Sequence, residues 1–425
     1  AVSGPGIEVT RLGNGDHQSL QDLCIVVAML GCLALILGKA GARLAITAGA
    51  ALGLSMWVNA ESMVALGING LMILAGFCFA TREQIEDRLP NLLKFAIAAV
   101  VVTIPGQFLE SGGALTLEWD RISCFQSASM VGLLIMVWSL RKFLARGLRP
   151  IAALAAAGGV AGAIALLPFL LVTGLRETLA AEIQRAATFT TFARPCVAEY
   201  KRLFADGTGL ALLVYGSTLY LLPVCFIGLF WAKHLSATLR ASLLVPVLLL
   251  GGLVLDQVKL SHMFCIIEPL LLIGGGTAIL DLIHKKSGMR AETQGRLHLA
   301  GGLLLAVMGA WHITSLTLAS KAPTGITAAS QRRELVAAVN EIAFAPKDEV
   351  EAGRVGIMAP WDLAHYLLYG TKKSVIASSY QRRVEEIRDS FRVFCSTDPD
   401  EALAILKERK ARWLIRPGDP SLLLP

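Results

Sequence analysis

Charged residues are scarce in this chain of 425 residues. Only 17% of its residues are Asp, Glu, Lys or Arg, whereas soluble domains carry about 25%. Hydrophobic residues make up 55% of the chain, and this balance excludes an ordinary soluble protein. Apolar runs of roughly 20 residues recur, and each is long enough to cross a bilayer core of about 30 Å. The sequence therefore predicts a polytopic α-helical membrane protein.

Two kinds of site are also missing from the sequence. The eight cysteines show no paired spacing and lie mostly inside the apolar runs, so they predict neither a zinc site nor a disulfide framework. The net charge of +7 comes with no DNA- or RNA-binding motif, which excludes nucleic acid as a partner. A basic balance instead favours contact with the anionic lipid of an inner membrane surface.

The apolar runs predict about ten membrane spans. They cover 20–38, 43–58, 62–80, 92–109, 124–140, 151–173, 208–231, 240–256, 261–283 and 298–319. Basic connections alternate with connections that hold few cations, and the basic ones are 38–43, 81–94, 141–149, 232–240 and 284–296. By the positive-inside rule these face the cytoplasm. The outer face then carries 1–19, 59–61, 110–123, 174–207, 257–260 and everything after Ser320.

The longest connection between spans is 174–207. Its charged residues are Arg176, Glu177, Glu182, Arg185, Arg194, Glu199, Lys201, Arg202 and Asp206. A connection of this length in a compact protein is either a functional loop or a solvated linker. The residues alone leave both interpretations open.

After Lys321 the composition becomes that of a soluble domain. The pattern predicts helices at 331–344, 361–369, 380–390 and 401–410, and strands at 354–358, 374–378, 391–395 and 413–416. Alternating strands and helices indicate a small α/β domain with a largely parallel sheet. We therefore predict a membrane domain over 1–320 and an extracytoplasmic α/β domain over 321–425.

Polar residues near the outer ends of the spans are the candidate functional residues. Asp16 precedes the first span, where it either caps that helix or binds a metal ion. Glu199 is either an ordinary loop residue or a second carboxylate for a hard divalent cation such as Mg²⁺ or Mn²⁺. Lys259 and His262 flank the start of the ninth span and could hold a lipid phosphate, although a snorkelling lysine explains the same pattern.

Trp361 and Asp362 follow a predicted strand directly. Pro360 before them and the early acidic residue are typical of a helix start, and a Trp there is commonly buried. A second interpretation is that the two side chains contact a ligand at the strand-to-helix junction.

Four short motifs resemble those of the catalytic subunit of oligosaccharyltransferases, in the GT-C superfamily of membrane glycosyltransferases. Trp361-Asp362 resembles the end of that family's WWDYG motif, and Cys196–Glu199 is similar to its motif ending in Glu on the long external loop. Gly15–Gln18 is similar to the acidic motif before the family's fourth span, and Gln257–Lys259 resembles the segment with its phosphate-binding Arg. The ten spans would match the family's fourth to thirteenth. The resemblance then implies that the first three spans, with the metal-binding Asp of the first external loop, are absent here.

This resemblance implies a GT-C-like fold and a glycosyltransferase of the bacterial inner membrane. It would move a sugar or glycan from a polyprenyl-phosphate or polyprenyl-pyrophosphate donor to an acceptor protein or glycan outside the cytoplasm. The implied cofactor is a divalent cation, Mg²⁺ or Mn²⁺. The implied roles are catalytic metal ligation (Asp16 and Glu199), donor-phosphate binding (Lys259 and His262) and acceptor binding (Trp361 and Asp362).

The chain departs from the family's pattern in all but one of these motifs. Pro360 replaces the first Trp, Leu363 and Ala364 replace Tyr and Gly, Gln18 replaces a carboxylate, and Lys259 replaces Arg. Lysine keeps the charge of arginine but loses its bidentate geometry. A non-catalytic homologue therefore remains an alternative. A transporter or flippase of lipid-linked glycans is another, although the sequence shows no clear inverted repeat.

Overall fold

The computed structural model divides into two compact units, residues 1–183 with 201–316 and residues 184–200 with 317–425. The residues that it describes are 18–58, 62–111, 123–171, 174, 176–178, 180–181, 183–184, 202–204, 215–233, 235–256, 261–287, 291–321, 356–360, 367, 371, 374–376 and 384–415.

The first unit is helical throughout its described residues. Its helices are α1 (Gln18–Ile36), α2 (Ala42–Val58), α3 (Met63–Cys78), α4 (Arg82–Ser111), α5 (Cys124–Ala145), α6 (Pro150–Leu171), α7 (Leu222–Trp231), α8 (Ala237–Asp256), α9 (Ser261–Ser287) and α10 (Ala291–Lys321). Each overlaps one of the predicted apolar runs. The prediction of a mostly helical membrane protein is therefore confirmed.

Four helices in the described part of the chain are long and apolar enough to cross a membrane. They cover Arg82–Leu109, Cys124–Ala145, Ala237–Leu255 and Ile267–Ser287. Five shorter apolar helices accompany them, at Leu20–Ile36, Ala42–Val58, Met63–Cys78, Pro150–Leu166 and Leu222–Trp231. The number of ten spans stays a prediction.

The largest differences from the predicted helix boundaries are at the starts of α4 and α7. Helix α4 begins at Arg82 rather than at 92, because its first turns are polar but rich in residues that favour helices. The predicted span 208–231 is not one continuous helix in its described residues. A 3₁₀ turn at Gly216–Tyr220 precedes α7, and Pro223 lies in the first turn of α7, where its missing N–H disturbs no helical hydrogen bond.

Neighbouring helices in the first half of the unit alternate in direction. At one end, Asn91 Nδ2 donates to the Ala40 carbonyl over 3.1 Å, and Arg82 Nη2 donates to the Leu144 carbonyl over 2.7 Å. These bonds connect the first ten residues of α4 with the turn after α1 and with the last turn of α5. Three of the five basic connections therefore lie at the same end of the helices.

Helices α7 and α9 cross at a pair of glycines. A Cβ atom added to Gly275 would lie 2.5 Å from the carbonyl carbon of Cys225, and one added to Gly228 would lie 2.8 Å from Ile279 Cγ1. Small residues permit this approach of two backbones, which is a common mode of helix packing in membranes.

The second unit contains a short sheet with helices. Its elements are β1 (Gly356–Met358), β2 (Ser374–Val375), α11 (Val384–Cys395), α12 (Pro399–Glu408) and β3 (Ala411–Leu414). The strand order is β2-β1-β3, and both pairings are parallel. The predicted helix 331–344 lies outside the described residues.

The predicted strand at 391–395 is wrong, because α11 continues through Cys395. Ile387, Phe391 and Phe394 recur at the spacing of one helix face, and Ile387 is buried. The short sequence FRVFC contains the β-branched and aromatic residues that are typical of a strand. It is helical because it continues the longer helical pattern that begins before it.

An ion-pair network connects α11 with the segment after it. Arg409 donates to Asp389 Oδ2 from Nε over 2.9 Å and from Nη2 over 2.6 Å. Arg392 Nη2 lies 2.7 Å from Glu401 Oε1, and Ser396 Oγ donates to Glu401 Oε2 over 2.7 Å. The Ser396 hydroxyl, and after it the Arg392 guanidinium, hold the pKa of Glu401 below its ordinary value.

Candidate functional site

Most of the predicted site residues lie outside the part of the chain that the structure describes. Asp16, Glu199, Lys259, Trp361 and Asp362 lie outside the described residues. His262 lies in the first turn of α9, and only its place in that helix is described. Described residues lie close to several of these positions along the chain.

The long connection after α6 returns to the helices at the C-terminal turn of α8. Leu203 N donates to the Leu255 carbonyl over 3.3 Å, and the Leu203 side chain is buried. Leu203 follows Glu199 by four positions, and Leu255 precedes Lys259 by four positions. One backbone hydrogen bond thus joins the segment that follows Glu199 to the segment that precedes Lys259.

A second contact joins the end of this connection to the start of α9. The rings of Tyr215 and Phe264 pack edge to face, with centroids 5.8 Å apart and planes at 86°. Both side chains are buried, and this geometry is favourable for aromatic pairs. We call Leu203, Tyr215, Thr218, Leu255, Phe264 and Glu268 the α8–α9 junction.

Glu268 is a buried carboxyl group within this junction. It lies one turn after Phe264 on α9, and only 5% of the residue is exposed. Thr218 Oγ1 lies 2.6 Å from Glu268 Oε1 and 2.5 Å from the Tyr215 carbonyl oxygen. The distances imply two hydrogen bonds that share the Thr218 hydroxyl oxygen.

The Thr218 hydroxyl has one proton for these two contacts, and a backbone carbonyl can only accept. The proton can go to Glu268 Oε1 or to the Tyr215 carbonyl oxygen. If it goes to the carbonyl, a hydrogen bond between Thr218 and Glu268 requires a proton on the Glu268 carboxyl group.

The sequence-based candidates did not include Glu268. The signal was present, because Glu268 is the one charged residue in the apolar stretch MFCIIEPLLL. Ionisable residues inside membrane spans are rare and are functional candidates by default.

A polar group also fixes the beginning of α1. Gln21 Nε2 donates to Ser62 Oγ over 3.1 Å, and Ser62 Oγ donates to the Ser55 carbonyl over 2.9 Å. Gln21 and Ser62 are fully buried. Gln21 follows Asp16 by five positions, so this network anchors the helix turn next to the predicted metal ligand.

No metal centre is evident within the described residues. They contain no group of three or more His, Cys, Asp or Glu side chains that could hold an ion. Because Asp16 and Glu199 fall outside those residues, a site made from them stays a prediction.

The second unit has a candidate binding edge at the carboxyl end of β1. The chain continues from β1 to β2 on one side, while β3 lies on the other, so the direction of the connections reverses between β1 and β3. Open α/β sheets bind ligands outside the carboxyl ends of their strands at such a point. Ala359 and Pro360, which lead into Trp361, begin at this edge.

A buried hydrogen bond holds this edge in place. Ser390 Oγ, on α11, donates to the Ala359 carbonyl over 2.8 Å. Both residues are buried, with 1% of Ser390 and 2% of Ala359 exposed. The path of the chain as it leaves β1 is therefore fixed two residues before Trp361.

Comparisons with known proteins give a match in structure but none in sequence. Neither a protein-family model nor a curated protein matches the chain. The oligosaccharyltransferase AglB from Archaeoglobus fulgidus, in complex with an inhibitory peptide and a dolichol-phosphate, matches with a TM-score of 0.68 at 13% identity. A structure of the oligosaccharyltransferase from the same organism, tethered to an acceptor peptide with an NVT sequon, matches with a TM-score of 0.65 at 14% identity.

A third structure of this archaeal enzyme, in complex with Zn and sulfate, has a TM-score of 0.61 and 13% identity, and aligns with 97% of this chain and 51% of that one. The first two matches each cover 97% of this chain and 53% of theirs. The chain thus spans about half the length of the solved proteins that it matches. It has an oligosaccharyltransferase-like fold.

Proposed function

We propose that the protein is a membrane glycosyltransferase of the oligosaccharyltransferase type. It transfers a sugar or glycan from a polyprenyl-phosphate or polyprenyl-pyrophosphate donor to an acceptor outside the cytoplasm. The observation that carries this proposal is the fold likeness over 97% of the chain to an oligosaccharyltransferase, one structure of which holds a dolichol-phosphate and a peptide. The four sequence motifs supply the candidate site residues.

The donor side of the site lies next to the α8–α9 junction. Glu199 and Lys259 are each four positions from a member of the Leu203–Leu255 hydrogen bond. This supports a common role for Glu199, Lys259 and the nearby His262 at one donor phosphate.

Asp16 and Glu199 are the proposed ligands of a Mg²⁺ or Mn²⁺ ion. When bound, the cation would stabilise the negative charge that develops on the departing phosphate. Lys259 adds a second positive charge, and His262 at the start of α9 adds a further donor of hydrogen bonds. Trp361 and Asp362 bind the acceptor at the carboxyl edge of β1.

The site would face away from the cytoplasm. Three basic connections share one end of the helices through the Asn91 and Arg82 hydrogen bonds, and the positive-inside rule places that end in the cytoplasm. We propose the bacterial inner membrane as the location, with the second unit on its outer side.

The test is transfer by the purified protein in liposomes. A polyprenyl-pyrophosphate glycan serves as the donor and a labelled Asn-x-Thr peptide as the acceptor. We expect transfer to stop with EDTA and to return with Mn²⁺. Asp16→Asn and Glu199→Gln should each lower kcat/KM by roughly a hundredfold or more. Glu177→Gln, an exposed position in the same connection, is the matched control and should be unchanged.

Two outcomes would contradict the proposal. Movement of the lipid-linked glycan across the bilayer without transfer would indicate a flippase. Absence of both transfer and donor binding in the wild type would indicate a non-catalytic homologue, as the substitutions at Pro360 and Gln18 suggest.

The acceptor role has its own test in the same assay. Asp362→Ala should raise the KM for the peptide by about tenfold, because one buried hydrogen bond to a ligand is lost. Asp400→Ala, at an exposed position of α12, is the control. Unchanged kinetics of the Asp362 variant would leave only the role of a helix start for this residue.

A further inference from the structure

We propose that Glu268 is a positioning residue for the donor side of the site, where it acts as a neutral acid that clamps the 3₁₀ turn Gly216–Tyr220 onto α9. The inference rests on the proposed function for its kinetic test only. The clamp itself follows from the contacts of the α8–α9 junction.

The clamp has two contacts on one face of α9. Phe264 and Glu268 are four positions apart, so their side chains lie one turn from each other on the same face. Phe264 packs against Tyr215, and Glu268 meets the Thr218 hydroxyl. Both partners belong to the short segment that ends the long connection and leads into α7.

The 3₁₀ turn needs such support because of its own geometry. Hydrogen bonds in 3₁₀ turns are less favourable than those of an α-helix, so short 3₁₀ segments are weak on their own. Its Thr218 side chain donates back to the Tyr215 carbonyl over 2.5 Å. The hydroxyl oxygen then accepts the Glu268 proton, and the two bonds form one continuous chain.

Glu268 also lies close to the predicted phosphate-binding residues along the helix axis. It follows His262 by six positions on α9, which corresponds to ~9 Å of helical rise. Because the clamp fixes the first turns of α9 relative to Tyr215 and Thr218, it fixes the start of the helix that carries His262. Loss of the clamp should therefore weaken donor binding more than it slows the chemical step.

Substitutions can distinguish a neutral Glu268 that donates a hydrogen bond from a Glu268 that acts through its charge. Glutamine at position 268 keeps a donor for Thr218 Oγ1, whereas leucine removes it and a carboxylate has no proton to donate. In the same way, serine at position 218 keeps the hydroxyl and valine removes it at nearly the same volume. Conservative variants should rescue the clamp if the hydrogen bonds are what matters.

The kinetic test measures the KM of the polyprenyl-pyrophosphate donor and kcat in the transfer assay. Glu268→Leu and Thr218→Val should each raise the donor KM by about tenfold, the effect of a hydrogen bond worth about 1.4 kcal/mol. Both should leave kcat within about twofold, and the double variant should be no worse than either single one. Glu268→Gln and Thr218→Ser should remain within about twofold of the wild type.

The matched control is Thr103→Val on α4. Thr103 is a fully buried threonine whose hydroxyl donates to the Ala99 carbonyl of its own helix over 2.8 Å. It loses a similar bond without touching the junction, so its donor KM should be unchanged. Equal damage from Glu268→Gln and Glu268→Leu would overturn the clamp, and so would additive effects of Glu268→Leu and Thr218→Val.

A spectroscopic test does not depend on transfer at all. The infrared spectrum of the wild type at neutral pH should contain the carbonyl stretching band of a protonated carboxyl group, and Glu268→Gln should remove it. If the band is present but the wild type transfers nothing, the proposed function fails and the neutral acid stands. If the band is missing, the clamp fails whatever the activity.

Discussion

The crossing of α7 and α9 yields a sharp prediction about stability. A Cβ atom on Gly275 would lie 2.5 Å from the Cys225 carbonyl carbon and 2.8 Å from the Cys225 Cα atom. These are backbone atoms, so no side-chain rotation relieves the clash. Gly275→Ala must therefore push the two helices apart.

The size of the effect follows from the same geometry. Moving the Cys225 carbonyl carbon from 2.5 Å to an ordinary contact of 3.4 Å requires a shift of about 1 Å. Overpacking of this kind costs about 1–3 kcal/mol, while alanine in a helix gains about 1 kcal/mol over glycine. At Gly276, the next residue, a Cβ atom would meet only Cys225 Sγ at 3.8 Å. Gly276→Ala therefore has the same gain without the clash.

The assay is thermal unfolding of the purified full chain in detergent. Gly275→Ala should unfold at a lower temperature than Gly276→Ala, with a difference in stability of about 1–3 kcal/mol, and Gly275→Leu should unfold lower still. Because α7 directly follows the 3₁₀ turn, Gly275→Ala should also raise the donor KM. A Gly275→Ala protein as stable as the Gly276→Ala protein would refute the close-contact argument.

Three further predictions concern the second unit and the topology. Ser390→Ala should speed hydrogen exchange of β1 in the full chain. It leaves the buried Ala359 carbonyl without its donor, which lowers the free energy of opening by about 1–3 kcal/mol. Thr397→Ala, at an exposed position, should leave this exchange unchanged. The lowered pKa of Glu401 means that its stabilising effect is complete above the pKa of the unfolded chain and is lost as the pH falls through the folded value. Exchange of α11 and α12, corrected for intrinsic rates, should therefore accelerate in acid in the wild type but not in Glu401→Gln. A reporter active only in the cytoplasm should be silent after Pro425 and active after Ser287, and the reverse pattern would contradict the topology.

The helical part of the fold followed well from the sequence, because long apolar runs have few alternatives in a membrane. The boundaries failed where the physical signal was different from hydropathy. Arg82 and the polar turns after it belong to α4 although they are not apolar. Gly216–Tyr220 form a 3₁₀ turn before α7, although hydropathy does not distinguish them from the helix that follows. In α11 the apolar spacing of a whole helix prevailed over five residues that favour a strand.

The candidate site was predictable only in part, for a different reason. Motifs mark residues that meet a ligand, and the resemblance supplied those. Glu268 belongs to no motif, because its importance depends on the position of Thr218, fifty residues earlier in the chain. Only the folded structure brings that pair within 2.6 Å.

The length of α4 has a consequence for where the membrane surface lies. Its 30 residues span ~45 Å, whereas the hydrocarbon core is about 30 Å thick, so roughly ten residues must project into water or headgroups. The exposed Arg82–Glu86 ion pair marks the projecting end, and the exposed apolar side chain of Ile97 marks the lipid-facing part. Asn91, between them, is bonded to Ala40. The turn between α1 and α2 therefore lies at the level of the headgroups. The depth of α4 in the membrane thus sets the depth of the turn that is bonded to it.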